Sequence, residues 1–394
     1  MIRHSGSFDL AEEALHEAFV AAASTWERDG SPHNPGAWLT TVAQRKLLDA
    51  VRREKTRTEK QATLAYEQTR LQPFADPVEI EEVVEYPDDR LRLIFTCCHP
   101  SLNREAQVAL TLRTLGGLTT TEIAHGFLLP ETTLAQRLVR AKQKIRLARI
   151  PYEIPALDRL SDRLASVQAV VYLIFNEGYA ASAGEQLVRN DLCSEAIRLG
   201  RVLCELLPNE PENIGLLALL LLQNSRRKAR VNPRGELVTL EEQDRSLWNR
   251  AEINEGLHLL EGALVQRRIG NYQLQAAIAA VHCEAASAEQ TDWRQIVALY
   301  EELLRLSSSP VIALNHAAAV AMHRGPEQGL NLMEAARVRD RLENYYLYHA
   351  ARADLLRRAN RATEATAAYK RALSLTTNLI EQNYIRRRLQ ETLK

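Results

Sequence analysis

Glycine and proline are scarce in this chain, 16 and 14 among 394 residues, and apolar residues seldom alternate with polar ones. A sheet-rich fold turned on tight hairpins is therefore excluded. Cysteine is rarer still. Five of them, an odd number thinly spread, make no disulfide framework and point to a reducing compartment. The longest apolar run, IGLLALLLL at 214–222, is too short to span a bilayer. The opening MIRHSGSFDLAEEAL has no signal-peptide core. An excess of charge is missing too: basic and acidic residues number 50 each, 20 of each up to residue 150 and 30 of each beyond it. Any nucleic-acid surface must then be a local patch. No Gly-rich phosphate loop or nucleophile motif is present. These absences describe a cytoplasmic, non-membrane, non-enzymatic chain without a cofactor.

Cys97, Cys98 and His99 stand together and invite a metal reading. Tetrahedral zinc needs four ligands, usually as two spaced pairs, and adjacent helical residues point about 100° apart. No second pair of metal spacing follows. A helix beginning near Asp88 places Leu91, Ile94, Phe95 and Cys98 on one apolar face, so the two thiols are expected in the core. A metal or redox role is the remaining alternative.

What is abundant is helical periodicity, and the chain reads as all-α. The first helix is expected from Asp9, with Glu12 completing a capping box, Leu15, Ala18, Phe19 and Ala22 inward, and an end near Trp26. Asn34 and Pro35 cap the second helix, whose apolar side holds Trp38, Val42 and Ala43. Its C-terminal half carries Arg45, Lys46, Arg52, Arg53 and Lys55. Residues 56–87 end in the acidic ADPVEIEEVVEYPDD and read as a linker. A compact helical block fills 88–150.

Within that block, Gly116 and Gly117 stop one helix, and Thr119 with Glu122 makes a capping box for a short helix that turns Ile123, Ala124 and Phe127 inward. The next helix keeps Leu134, Leu138, Ala141 and Ile145 for the core. Its outer side carries Thr132, Thr133, Gln136 and Arg140, flanked by Arg137 and Lys144. Residues 131–149 hold six basic side chains and one acidic. A short helix, a tight turn and a basic second helix form a helix-turn-helix. Glutamine can read adenine, and arginine can bind guanine or grip phosphate. A solvated basic face on a helical hairpin is the plainer alternative.

From 156 to 394, alanine-rich helices follow one another. QAAIAAVHCEA, NHAAAVAMHRG and YHAARADLLRR are variants of one pattern, and Tyr300 and Tyr369 align 69 residues apart, two periods of about 34. That is the period of tetratricopeptide-type helix pairs. In YLIFNEGYAASAG, residues 172–184, Asn176, Glu177 and Tyr179 form either a satisfied polar turn or part of a binding surface.

The first 150 residues resemble an alternative bacterial sigma factor of the extracytoplasmic-function group. DLAEEALHEAFVAA is similar to region 2.2 and NPGAWLTTVAQRKLLDAVRR to region 2.4. The stretch from DDRLRLIFTCCHP to LAQRLVRAKQKIR is similar to region 4, and the alanine-rich tail resembles the tetratricopeptide-like extension of one sigma subgroup. The resemblance implies region 2 at 1–55, a linker at 56–87, region 4 at 88–150 and the extension at 156–394. It also implies partners: RNA polymerase core, through its β′ clamp helices and β flap, and promoter DNA. Asp9, Glu12, Glu13, His16 and Glu17 would face the polymerase. Glu27–His33 and the start of the next helix would serve the −10 element, with Trp38 more support than stacking platform and Arg45, Arg52 and Arg53 near DNA. Thr132, Thr133, Gln136, Arg137, Arg140 and Lys144 would read the −35 element.

Three departures from the family pattern stand out. Only eight residues precede Asp9 where the family has a further helix, His16 replaces a usual glutamine, and Arg45 replaces a usual asparagine. The expected function is promoter-specific initiation, with the extension acting in cis and its groove taking an unidentified ligand or protein. Two alternatives remain: a helix-turn-helix regulator with a tetratricopeptide domain that needs no polymerase, for which residues 9–53 are superfluous, and an inactive interaction scaffold.

Overall fold

The computed structural model describes residues 7–66, 89–115, 117–126, 129–181 and 187–393. Among them are helices and one isolated antiparallel bridge, Val231 to Leu237. No described helix is long and apolar enough to cross a membrane. Two compact units emerge, one of residues up to Ala124 and from Leu129 to Val167, the other chiefly of residues from Gln168 onward.

In the first unit, α1 (Phe8–Asp29) is capped by Ser7, whose hydroxyl accepts from the Leu10 amide at 3.4 Å. The helix thus starts before the expected Asp9–Glu12 box, because serine at 7 already satisfies a free amide. It also runs past Trp26 to Gly30, where a φ of 83° suits glycine and its amide bonds the Trp26 carbonyl. The inner face is made of Phe8, Ala11, Ala14, Ala18 and Ala22. Leu15 and Phe19, expected inside, are exposed, Phe19 by 52%. The alanines let α2 (Pro35–Tyr66) pack closely against α1, so the bulky side chains turn away.

α2 begins as expected, with Asn34 Oδ1 accepting from the Ala37 amide at 3.1 Å. Among its described side chains Ala43 and Leu47 are buried, and Trp38 and Val42 are half-buried. The helix continues into the stretch expected as linker, since residues 56–66 contain neither glycine nor proline. The acidic remainder of the expected linker lies outside the described residues.

α3 (Asp89–Cys97), α4 (Arg104–Thr114), α5 (Thr120–Gly126) and α6 (Glu131–Leu147) build the block after the linker. Its core includes Ile94, Phe95, Leu110, Ile123 and Leu134. Cys97 and Cys98 are buried in it, with sulfurs 3.7 Å from Thr114 Oγ1 and 4.0 Å from Thr111 Oγ1. Burial pushes the Cys97 thiol up to about 12 and the Cys98 thiol higher, so both stay protonated and inert at neutral pH. The expected side chains of Leu91 and Phe127 lie outside the described residues. Behind α3, the Thr96 hydroxyl bonds the Arg92 and Pro151 carbonyls, and Arg163 donates to the Phe95 carbonyl at 3.2 Å.

In the second unit, α7 (Leu157–Tyr179), which begins within the first, leads to α8 (Asn190–Leu206), α9 (Pro211–Asn224), α10 (Arg250–Val265), α11 (Asn271–Glu284) and α12 (Trp293–Leu306). Then come α13 (Pro310–Arg324), α14 (Pro326–Glu334), α15 (Ala336–Leu342), α16 (Tyr346–Arg358), α17 (Ala362–Leu375) and α18 (Leu379–Thr392). Helices pack mainly on their neighbours in sequence, as in an α-solenoid. The three alanine-rich repeats become α11, α13 and α16. Residues 172–179 are the end of a helix rather than a turn. Gly178 is required there by packing: a Cβ would meet the Cys193 amide at 2.7 Å.

The array closes on itself. Asn378 Nδ2 donates to the Ala181 carbonyl at 3.1 Å, and Arg388 pairs with Glu242 at 2.7 Å.

Candidate nucleic-acid interface

A helix that meets DNA must hold its core side rigidly and keep its outer side free. In α6 the stripe Leu134, Leu138, Ala141 and Ile145 is buried, as the spacing predicts. The helix ahead of it is set by the Thr119–Glu122 capping box: the Thr119 amide donates to Glu122 Oε2 at 2.7 Å, and the Glu122 amide donates to Thr119 Oγ1 at 3.2 Å. α5 anchors Ile123 and Ala124 in the core, and the Leu129 amide bonds the Ala124 carbonyl at 2.9 Å across the turn.

Thr132, Gln136, Arg140 and Lys144 are exposed on the side of α6 away from the core, and Thr133 is half-buried. Arg137 is different. Its guanidinium is paired with the Glu105 carboxylate at the start of α4, which holds it on the flank. Lys142 lies on the opposite flank, with its ammonium 2.7 Å from Glu12 and 3.9 Å from Asp9. Val139 and Gln143 are exposed near the centre of the outer face and were missed. They share the helical spacing of Thr132 and Gln136, so the period alone locates them.

The second surface is built by α1 and α2. Trp38 meets Trp26 edge to face at 5.4 Å, which makes it a strut between the helices. Arg45, Arg52 and Arg53 are exposed on α2, and the Arg53 Nε bonds the Asp49 carbonyl at 3.3 Å. Asp49 interrupts this positive strip. On α1, Glu12, Leu15, His16 and Phe19 follow at helical spacing and form one exposed face that mixes acid with large apolar groups. Asp9 and Glu13 are exposed as well, whereas Glu17 is half-buried and paired with Lys46 at 3.2 Å. An exposed leucine and phenylalanine together on one helix suit a protein partner.

Comparisons with known proteins agree with this geometry. Residues 1–57 match the model of sigma-70 region 2, and residues 92–145 match that of sigma-70, region 4. Residues 163–264 match a family of unknown function, DUF6596. The uncharacterized protein R00370 of Rhizobium meliloti (strain 1021) is 45% identical over 392 residues, covering 99% of this chain and 91% of that protein.

Proposed function

Since this chain belongs to the sigma-70 family, as an extracytoplasmic-function-type sigma factor with a C-terminal helical extension, we propose that it binds RNA polymerase core in the cytoplasm and directs it to a specific promoter. The observation that carries this reading is the outer face of α6. Gln136, Arg140 and Lys144 are exposed there, opposite a buried apolar stripe, on a helix held by a capped partner. Gln136 and Arg140 supply base-edge contacts at the −35 element, with Thr132 and Thr133 beside them, and Lys144 contacts phosphate. Arg137, tied to Glu105, supports the helix more than it reads sequence.

The α1 face of Glu12, Glu13, Leu15, His16 and Phe19 docks on polymerase, with Asp9 and Glu17 at its edges. Apolar side chains give this contact its area, and the acids give it register. Arg45, Arg52 and Arg53 neutralise phosphates upstream of the −10 element, while Trp38 braces the loop that takes up melted bases. Such a role needs no catalytic residue. The extension acts on these surfaces in cis.

Transcription in vitro tests the whole reading: purified core polymerase, with and without the chain, on the DNA upstream of its own gene. A run-off product that requires both components is expected. No product from folded protein, together with DNA binding that ignores polymerase, would replace it with an independent regulator. For the extension, truncation after Val167 keeps Arg163 on the Phe95 carbonyl. Identical output from that shortened chain would overturn regulation in cis.

A further inference from the structure

In the second unit, side chains of α9, α11, α12 and α13, with Arg226 and Leu240 from the segment after α9, line an open cavity of about 270 Å³, the volume of roughly nine waters at ~30 Å³ each. It is large enough for a compact metabolite. One wall is polar and carries charge. Arg226 is only 7% exposed, and its guanidinium donates to Gln223 Oε1 and lies 5.8 Å from the centre of the Trp248 ring. Its Nε has no hydrogen-bond partner, and among the described residues it makes no ion pair.

His282, 9% exposed, lines the same space with Nδ1 unpartnered. Its ring stands edge-on to Trp293 at 5.3 Å. Arg245 adds a second buried cation close by, over the Trp248 ring at 4.9 Å and bonded to the His282 carbonyl at 2.7 Å. The rest of the lining is mixed, with Ile278, Ile296 and Met322 apolar and Gln223 and Asn315 polar. Tyr300 also lines the space, and burial pushes its phenol up to about 12, so it keeps its proton.

A buried cation without a carboxylate is costly, because its lost hydration is not replaced. Here Arg226 and His282, two buried side chains that make no ion pair among the described residues, line one space beside apolar side chains of α11, α12 and α13. That combination of a positive, hydrogen-bonding end and an apolar body is how proteins hold small organic acids.

We propose that this cavity binds a small organic anion, a carboxylate or phosphate ester carried on a compact apolar or aromatic body, with Arg226 gripping the anionic head. Ring and chain atoms of the ligand lie against Trp293 and Met322. The site is independent of the promoter-recognition reading, since neither polymerase nor DNA takes part in it.

Calorimetric titration of the full-length protein tests it, with benzoate, phenyl phosphate and the neutral benzyl alcohol as probes. At least one anion is expected to bind with a Kd below ~1 mM, and the alcohol at least about tenfold more weakly. Whichever anion binds better identifies the head group. Arg226→Met should weaken the anion at least about tenfold and leave the alcohol unchanged. Ala318→Leu, an uncharged position on the cavity wall, should weaken all three and guards against misfolding of the first variant. Absence of binding by both anions at ~10 mM, where even a very weak site would fill, would overturn the proposal. So would anion binding that both variants leave at wild-type strength.

Discussion

Asn378 ties the end of the helical array to its beginning, with its side-chain amide donating to the Ala181 carbonyl, 197 residues away in sequence, at 3.1 Å. The same side chain caps α18, its Oδ1 accepting from the Ile380 amide at 3.0 Å and the Glu381 amide at 3.3 Å. Asn378 is fully buried, so both halves of the amide matter. Asn378→Ala should cost about 2 kcal/mol, roughly half for the cap and half for the bond across the array. Asn378→Ser keeps the cap and should cost about 1 kcal/mol. Urea unfolding followed by circular dichroism measures both, and equal losses for the two variants would refute this division.

On α6, the free and the tethered side chains should behave differently. Gln136→Ala and Arg140→Ala should each weaken holoenzyme binding to the cognate −35 sequence by about 1–3 kcal/mol and relax specificity there. Lys144→Ala should weaken binding to all sequences and lower the salt slope by about 1. Arg137→Ala should do less than Arg140→Ala, because Glu105 already holds the guanidinium. Fluorescence anisotropy over a salt series separates these effects.

Phe19 offers the cleanest test of the α1 face. It is 52% exposed and outside the alanine core of the helix, so Phe19→Ser should change stability by no more than about 0.5 kcal/mol. Affinity for core polymerase should nonetheless fall, by about tenfold or more if Phe19 is an anchor of the contact. Competition against a second sigma factor measures it, and unchanged affinity would remove Phe19 from the interface.

His282 predicts an acid-sensitive second unit. Burial, then the neighbouring charges of Arg226 and Arg245, depress its pKa from 6.5 to about 3. The folded state therefore favours the neutral ring. This stability is fully present above pH 6.5 and is lost as the pH falls toward 3. Between pH 7.5 and 4.5 the loss should reach about 2–3 kcal/mol. Asp354, held below its usual range despite burial by Arg357 and Arg358, also loses stability in acid, though at lower pH. The difference between wild type and His282→Phe isolates the imidazole, and parallel pH profiles would contradict the assignment.

Spacing in the sequence was enough to find the helix-turn-helix. The stripe from Leu134 to Ile145, the Thr119–Glu122 box and the Asn34 cap all depend on residues a few positions apart, and all are present. The phase of α1 was not legible. Periodicity gives the repeat of a helix but not which side faces in, and size suggested Leu15 and Phe19 over the alanines that actually pack. Long-range partners were hidden for a different reason. Glu105 meets Arg137 from 32 residues away, and Arg226 reaches the same cavity as His282 only through the packing of α9 and α11.

The placement of the tryptophans has a practical consequence. The chain has four. Trp26 and Trp38 touch each other in the first unit, while Trp248 lies against two arginines and Trp293 against His282 in the second. Each unit thus carries its own pair of intrinsic fluorophores, placed where its proposed chemistry occurs. Replacing one pair with phenylalanine leaves emission from the other unit alone. Events at the α1–α2 pair and at the cavity can then be followed separately in one unlabelled protein.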